Sequence, residues 1–102
     1  MENYVIATNQ DGRVEAFYIE ENIVMHTWQL KKDDKTIWSK PNYLFSNNNG
    51  QLGQPLRNAI KVDATSDMNG YIQVVACTQD GSCFTCYQNA DGWFGWDLIT
   101  QN

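Results

Sequence analysis

The chain has 102 residues, 42 % hydrophobic and 19 % charged, the profile of one small globular domain and not of a disordered or collagen-like chain. Its net charge of −5 arises from twelve Asp/Glu against seven Lys/Arg, so it lacks the basic clusters that nucleic acid or an anionic membrane surface requires. No apolar run approaches the ~18–20 residues of a membrane span and no N-terminal basic-plus-apolar segment resembles a signal peptide; the expectation is no membrane insertion and a cytoplasmic location by default, with release to the exterior left to a non-classical route.

The segments read in order as short strands separated by turn signals. Residues 4–8 are strand-like and run into Asp11-Gly12, a hairpin signal. Residues 14–19 alternate, Glu20-Glu21-Asn22 is a polar turn, and residues 24–30 alternate again. Residues 31–35, Lys-Lys-Asp-Asp-Lys, form a charge-balanced solvated turn before a fourth strand opened by Trp38. A polar stretch with Asn47-Asn48-Asn49-Gly50 and Gly53-Gln54-Pro55 reads as a linker over residues 46–58. The same grammar then recurs through Asn69-Gly70, residues 72–77, Asp80-Gly81, residues 83–88 and Asp91-Gly92, to a last strand opened by Trp93. No window supports a long amphipathic helix.

The recurrence is a repeat. Residues 4–17 match residues 62–75, with one extra residue assigned to the first turn of the second unit; residues 24–29 match 83–88, and residues 38–44 match 93–99. Four strands in a unit of about 40–45 residues are the signature of a β-propeller blade. The predicted fold is all-β: blade 1 over residues 1–45, the linker 46–58, and blade 2 over residues 59–102. Two blades cannot close a ring, because their outer faces would stay exposed. Head-to-tail cyclic oligomerisation is the simplest closure, with six blades from a trimer favoured and eight from a tetramer next.

Three cysteines, an odd number without a leader, do not suggest a disulfide framework. Cys83 and Cys86 are spaced C-x-x-C, but strand positions i and i+3 face opposite sides and are poorly placed to share a metal. The three are read as buried small hydrophobes, with a Cys77–Cys83 bridge across a hairpin as the alternative. No metal or other cofactor is expected.

Function is suggested by side-chain chemistry. Eleven Asn, eight Gln and thirteen aromatics, four of them Trp, suit a neutral polyhydroxylated ligand. Amides bond hydroxyls in both directions, and a ring face covers the C–H face of a pyranose. The candidate ligand residues are Trp38, Trp93 and Trp96 for stacking, Trp28 and Tyr87 on the third strands, His26 and its counterpart Thr85, and the paired Gln29 and Gln88. Each has a packing alternative: Trp28 and Tyr87 as core, the glutamines as partners of buried backbone groups, His26 as a hydrogen-bonded strand residue. No catalytic triad, phosphate loop or metalloprotease motif is present, and the acidic residues fall mainly in turns, with Glu15 the strand exception; no enzymatic activity is expected.

The run Asp11-Gly12-Arg13-Val14-Glu15-Ala16-Phe17, followed by Met25-His26-Thr27-Trp28-Gln29 and Trp38-Ser39, resembles a blade of the Photorhabdus-type bacterial propeller lectins. Residues 92–98, Gly-Trp-Phe-Gly-Trp-Asp-Leu, are similar to the last part of that repeat. The resemblance implies a non-enzymatic, multivalent lectin with sugar pockets between blades and glycans as partners. Those lectins carry seven blades in one chain. The two-unit layout is instead similar to small fucose-binding lectins built from three two-blade chains. Their fucose-holding Arg and Glu are not matched here, where Glu15 and Gln73 occupy the second strand and His26 and Thr85 the third. The divergence of the two units favours the alternative, a structural or protein-interaction propeller without a sugar site; a further alternative is a fragment engineered or excised from a larger propeller.

Overall fold

The alternating segments form strands of a computed structural model that describes residues 3–101. The strands are β1 (Tyr4–Thr8), β2 (Val14–Glu20), β3 (Ile23–Lys31), β4 (Asp34–Trp38), β5 (Asn42–Tyr43), β6 (Asn47–Asn48), β7 (Gln51–Leu52), β8 (Ala59–Ser66), β9 (Ile72–Thr78), β10 (Cys83–Asn89) and β11 (Gly92–Thr100). The protein is all-β, built from two antiparallel sheets. One runs β1-β2-β3-β4, with β5 also paired to β3; the other runs β8-β9-β10-β11, with β6 and β7 added beyond β11.

The turns set the register. In the first loop the Asn9 N–H donates to the Arg13 carbonyl (2.8 Å) and the Gly12 N–H to the Asn9 carbonyl (3.0 Å). Asp67–Tyr71 and Thr78–Ser82 repeat this pair of bonds with Gly70 and Gly81 in the place of Gly12. Gly12 has φ +93°, which a residue with a Cβ adopts only at a cost, and Asp11-Gly12, Asn69-Gly70 and Asp80-Gly81 mark three-residue loops and not two-residue turns. Glu21-Asn22 and Asn49-Gly50 are two-residue turns with both residues at positive φ, as a type I′ hairpin requires.

This corrects the repeat alignment. Strand pairing matches Thr8↔Val14 with Ser66↔Ile72 and Ala7↔Glu15 with Thr65↔Gln73, a constant offset of 58. The offset becomes 59 between Val24 and Cys83. The extra residue therefore lies in the β9–β10 loop, where Gln79-Asp80-Gly81 replaces Glu21-Asn22, and not in the β8–β9 loop. Thr78 and Ser82 hold Asp80 there through its Oδ1 (2.6 and 3.0 Å), and these bonds lower its pKa.

Two further details depart from the sequence reading. Trp38 closes β4 instead of opening a strand, because the turn is confined to residues 32–33. After Trp38 the edge is interrupted at residues 39–41 and resumes as β5, consistent with Pro41 having no N–H for the ladder. Residues 46–58 contain β6 and β7, a small hairpin that pairs Asn47 and Asn48 with Trp93 and Gly92. Gly92 is required at that crossing, since a Cβ there would overlap the Asn47 carbonyl.

Cys77 and Cys83 form a disulfide between directly opposed residues, Cα–Cα 4.2 Å. Reading all three cysteines as free small hydrophobes is thus corrected; the pair sits where the first sheet has the apolar pair Ile19↔Val24. Only Cys86 is a buried free thiol, and burial pushes its pKa up to about 12. With Cys83 in the bridge, C-x-x-C cannot act as a metal pair.

The core lies between the sheets. Val5, Ala7, Phe17, Ile19 and Val24 of the first sheet pack against Val62, Ala64, Ile72, Val74, Ala76 and Cys86 of the second. Period-2 alternation puts each set on one face of its sheet. Phe17 is fully buried, a contribution of roughly 1.5–3 kcal/mol. The Ser66 hydroxyl donates to the Thr8 carbonyl, tying β8 to β1. Trp96 locks the far edge, its Nε1 donating to the Leu44 carbonyl (2.9 Å).

Candidate functional site

A cleft of about 230 Å³ opens where the two sheets meet. Glu15 of β2 and His26 and Trp28 of β3 contribute from the first sheet, with Asn42 and Tyr43 of β5 beside them. Trp93 of β11 and Asn47 of β6 contribute from the second, and Arg13 and Phe45 complete the lining. Its volume is below the roughly 300–1,000 Å³ of drug-sized pockets and suits a ligand of monosaccharide size. A larger open groove of about 610 Å³, lined by residues 3–5, 18–21 and 60–62, has no indole in its lining.

The rings are fixed by packing. His26 lies parallel to Phe17 (centroids 6.1 Å, 13°) and against Trp28 (4.8 Å). Trp93 meets both Phe17 (6.0 Å) and His26 (5.9 Å) edge-on, so the second sheet supplies an aromatic wall opposite Trp28. The ring positions follow from register, because Phe17↔His26 and Glu15↔Trp28 are directly opposed pairs on one face.

The polar groups converge on Glu15. Its Oε2 lies 3.2 Å from His26 Nδ1, and its Oε1 accepts a long bond from Gln88 Nε2 across the sheets (3.5 Å). Both side chains of the Glu15–His26 pair are about nine-tenths buried. In the neutral imidazole, an Nδ1–H given to the carboxylate leaves Nε2 as an acceptor. Arg13 is held in place by Asp11 (2.9 Å) and by the Gln29 carbonyl (3.2 Å). Slight desolvation raises the Asp11 pKa, but the hydrogen bonds and charge of Arg13, with Lys32 farther off, hold it below the ordinary carboxylate value.

The candidate residues separate into groups. His26, Trp28 and Trp93 come together in the cleft. Gln29 lies behind it: its Oε1 accepts the Val14 N–H (2.8 Å), and Gln88 does the same for Ile72 (3.1 Å). Both glutamines therefore satisfy the first amide of a strand. Thr85, Tyr87 and Gln88 line a separate shallow hollow with Gln73, and Tyr87 stacks on Phe94. Trp38 is 38 % exposed, its Nε1 bonded to the Lys35 carbonyl, and Trp96 is committed to Leu44. Sequence reasoning did not single out Arg13, Glu15, Asn42, Tyr43, Phe45 or Asn47 as cleft residues. Arg13 and Glu15 come with the start of β2, and the others arrive with the β5 pairing and the β6–β11 crossing, which no local pattern announces.

Among the described residues, no cluster of His, Cys, Asp and Glu could hold a metal ion, and no helix is long and apolar enough to cross a membrane. No family model matches the chain, and no curated protein matches it significantly. The functional reading rests on the cleft itself.

Proposed function

We propose that the chain is a carbohydrate-binding lectin whose sugar sites lie between neighbouring sheets of an oligomeric β-propeller. The favoured ring has six blades from three copies; eight from four is next. The observation that carries this reading is a monosaccharide-sized cleft with two indoles around a buried carboxylate–imidazole pair. A pyranose places its C–H face on Trp28 or Trp93. Its hydroxyls donate to Glu15 and His26, accept from Arg13 and exchange hydrogen bonds with Asn42. Individually weak sites on one ring gain avidity at a glycosylated surface. The reading assigns no reaction: Glu15 is the one carboxylate among the described lining residues, whereas glycoside hydrolysis uses two.

The test is a glycan array probed with the purified assembly, followed by tryptophan-fluorescence titration of the best ligand with wild type and Trp28→Ala. Saturable quenching that Trp28→Ala abolishes supports the lectin; a silent array at high glycan density overturns it. A protein-interaction propeller is the second reading. It is favoured by the unlike second unit, where Gln73 and Thr85 stand in place of Glu15 and His26, and a specific protein partner captured alongside a silent array would establish it.

A further inference from the structure

The chain contains one sheet-on-sheet interface and the two faces that would make it again. The internal interface joins the Phe17 face of the first sheet to the Val74 face of the second. Under the register equivalence, the unused counterpart of the Phe17 face is the Asp63, Val75, Cys77, Cys83, Thr85 face of β8, β9 and β10. Those positions on β9 alternate as exposed or half-buried between fully buried neighbours. The unused counterpart of the Val74 face carries Tyr4 and Ile6, the equivalents of Val62 and Ala64. Val62 and Ala64 pack on the core, whereas Tyr4 and Ile6 are 57 % and 56 % exposed. Two large side chains exposed side by side on a first strand, where the matching strand buries smaller ones, are the mark of a surface that is covered in an assembly.

We propose that a second copy seats its Tyr4–Ile6 face on the Val75–Thr85 face of this chain, and that its Trp38 thereby completes a second ligand cleft. This rests on the propeller reading and specifies its contacts. Trp38 occupies in the first unit the place of Trp93 in the second, opposite Gln29 as Trp93 is opposite Gln88. Trp93 stands over Phe17 and His26; Trp38 of the second copy stands over Val75 and Thr85. The cleft so formed carries Gln73, Thr85 and Tyr87 from one chain and the indole from the other. It has an amide and a hydroxyl where the first cleft has a carboxylate and an imidazole. The contact is heterologous, so a chain with one face spoiled still has the other.

The experiment uses Ile6→Lys and Val75→Lys, each checked for native near-ultraviolet circular dichroism, with masses by light scattering. Wild type is expected to be oligomeric and each variant alone monomeric. An equimolar mixture is expected to form a species of two chains that grows no further. A wild-type monomer overturns the ring and this contact together. A wild-type oligomer whose variants keep the wild-type mass overturns these faces and leaves the ring standing. A Val75→Lys dimer through its intact Tyr4–Ile6 face would show an isologous contact and also overturn the proposal. Hydroxyl-radical footprinting reads Trp38 directly. Its oxidation is expected to fall several-fold in the wild-type assembly relative to the Ile6→Lys monomer, with Trp93 unchanged; equal oxidation overturns the placement of Trp38.

Discussion

Reducing the Cys77–Cys83 bridge isolates what a crosslink adds to a hairpin that is already hydrogen-bonded. The bridge closes a short loop, with a sequence separation of 6. Restricting a loop of that length in the unfolded chain is worth about 2 kcal/mol at 25 °C in the loop-entropy account. This is an upper value, since the Thr78–Ser82 bonds favour the turn even in its absence. With a urea slope of about 1–3 kcal/mol per molar, the midpoint should fall by about 1 M when reductant is added. The variant combining Cys77→Ile with Cys83→Val installs the pair that the first sheet uses at Ile19 and Val24. It should be indifferent to reductant and recover roughly 0.2–1 kcal/mol through the cross-strand contact. The assay is equilibrium urea unfolding by tryptophan fluorescence, with and without reductant. Coincident wild-type curves under the two conditions, with the bridge verified by mass, would refute the reasoning.

Three further outcomes follow from buried groups. Gln29→Ala removes the acceptor of the Val14 N–H at a site only 3 % exposed, so thermal or urea unfolding should show a loss of about 1–3 kcal/mol, while Gln29→Glu, which keeps an acceptor, should retain more. Trp93→Ala should cost about 1–3 kcal/mol, because the half-buried ring packs on Phe17 with one side open to the cleft; Trp38→Ala, at an exposed ring, should change the stability of the isolated chain by no more than about 0.5 kcal/mol. The Cys86 thiol, raised to about 12 by burial, should resist alkylation at pH 8.5 until urea unfolds the chain. The sign is that of a raised folded pKa: its contribution is full below the unfolded value of 9.0 and is lost as pH rises through about 12.

The strands were legible because period-2 alternation and Asx-Gly signals are local. Residues 14–19, 24–30, 72–77 and 83–88 all fall inside β2, β3, β9 and β10. What was misplaced is what local patterns do not encode. The shared Ala-Thr pair drew the alignment one residue off, because identity at Ala7 and Ala64 outweighed a turn whose geometry makes Ala7 equivalent to Thr65. The β6–β7 hairpin was hidden because its sequence, Asn-Asn-Asn-Gly, is turn chemistry; it becomes a strand pair only by adding to the edge that β11 offers. The Cys77–Cys83 bridge could have been read from the hairpin register, since both ends of the pair are fixed once the loop length is known.

The candidate site was half legible for a related reason. Residue type identified His26, Trp28 and Trp93, but face and partner decide what such residues do. His26 and Trp28 share a face with Glu15, and that face is closed by the other sheet, so the three become a cleft. Thr85 and Tyr87 share the equivalent face with Gln73, and no second sheet covers them within the chain. The same strand grammar thus yields one built site and one half-built hollow, the difference being only which sheet has a neighbour. Glu15 shows why the closure matters: on an open strand it would be a solvated carboxylate, and between the sheets it is a buried acceptor held by His26 and reached by Gln88. On the lectin reading, if the second sheet supplies that environment, Gln88→Ala should weaken sugar binding at the Glu15 cleft without touching any ring. A Gln88→Ala protein that folds, keeps its Trp93 packing and binds with wild-type affinity would show that Glu15 is set by the first sheet alone.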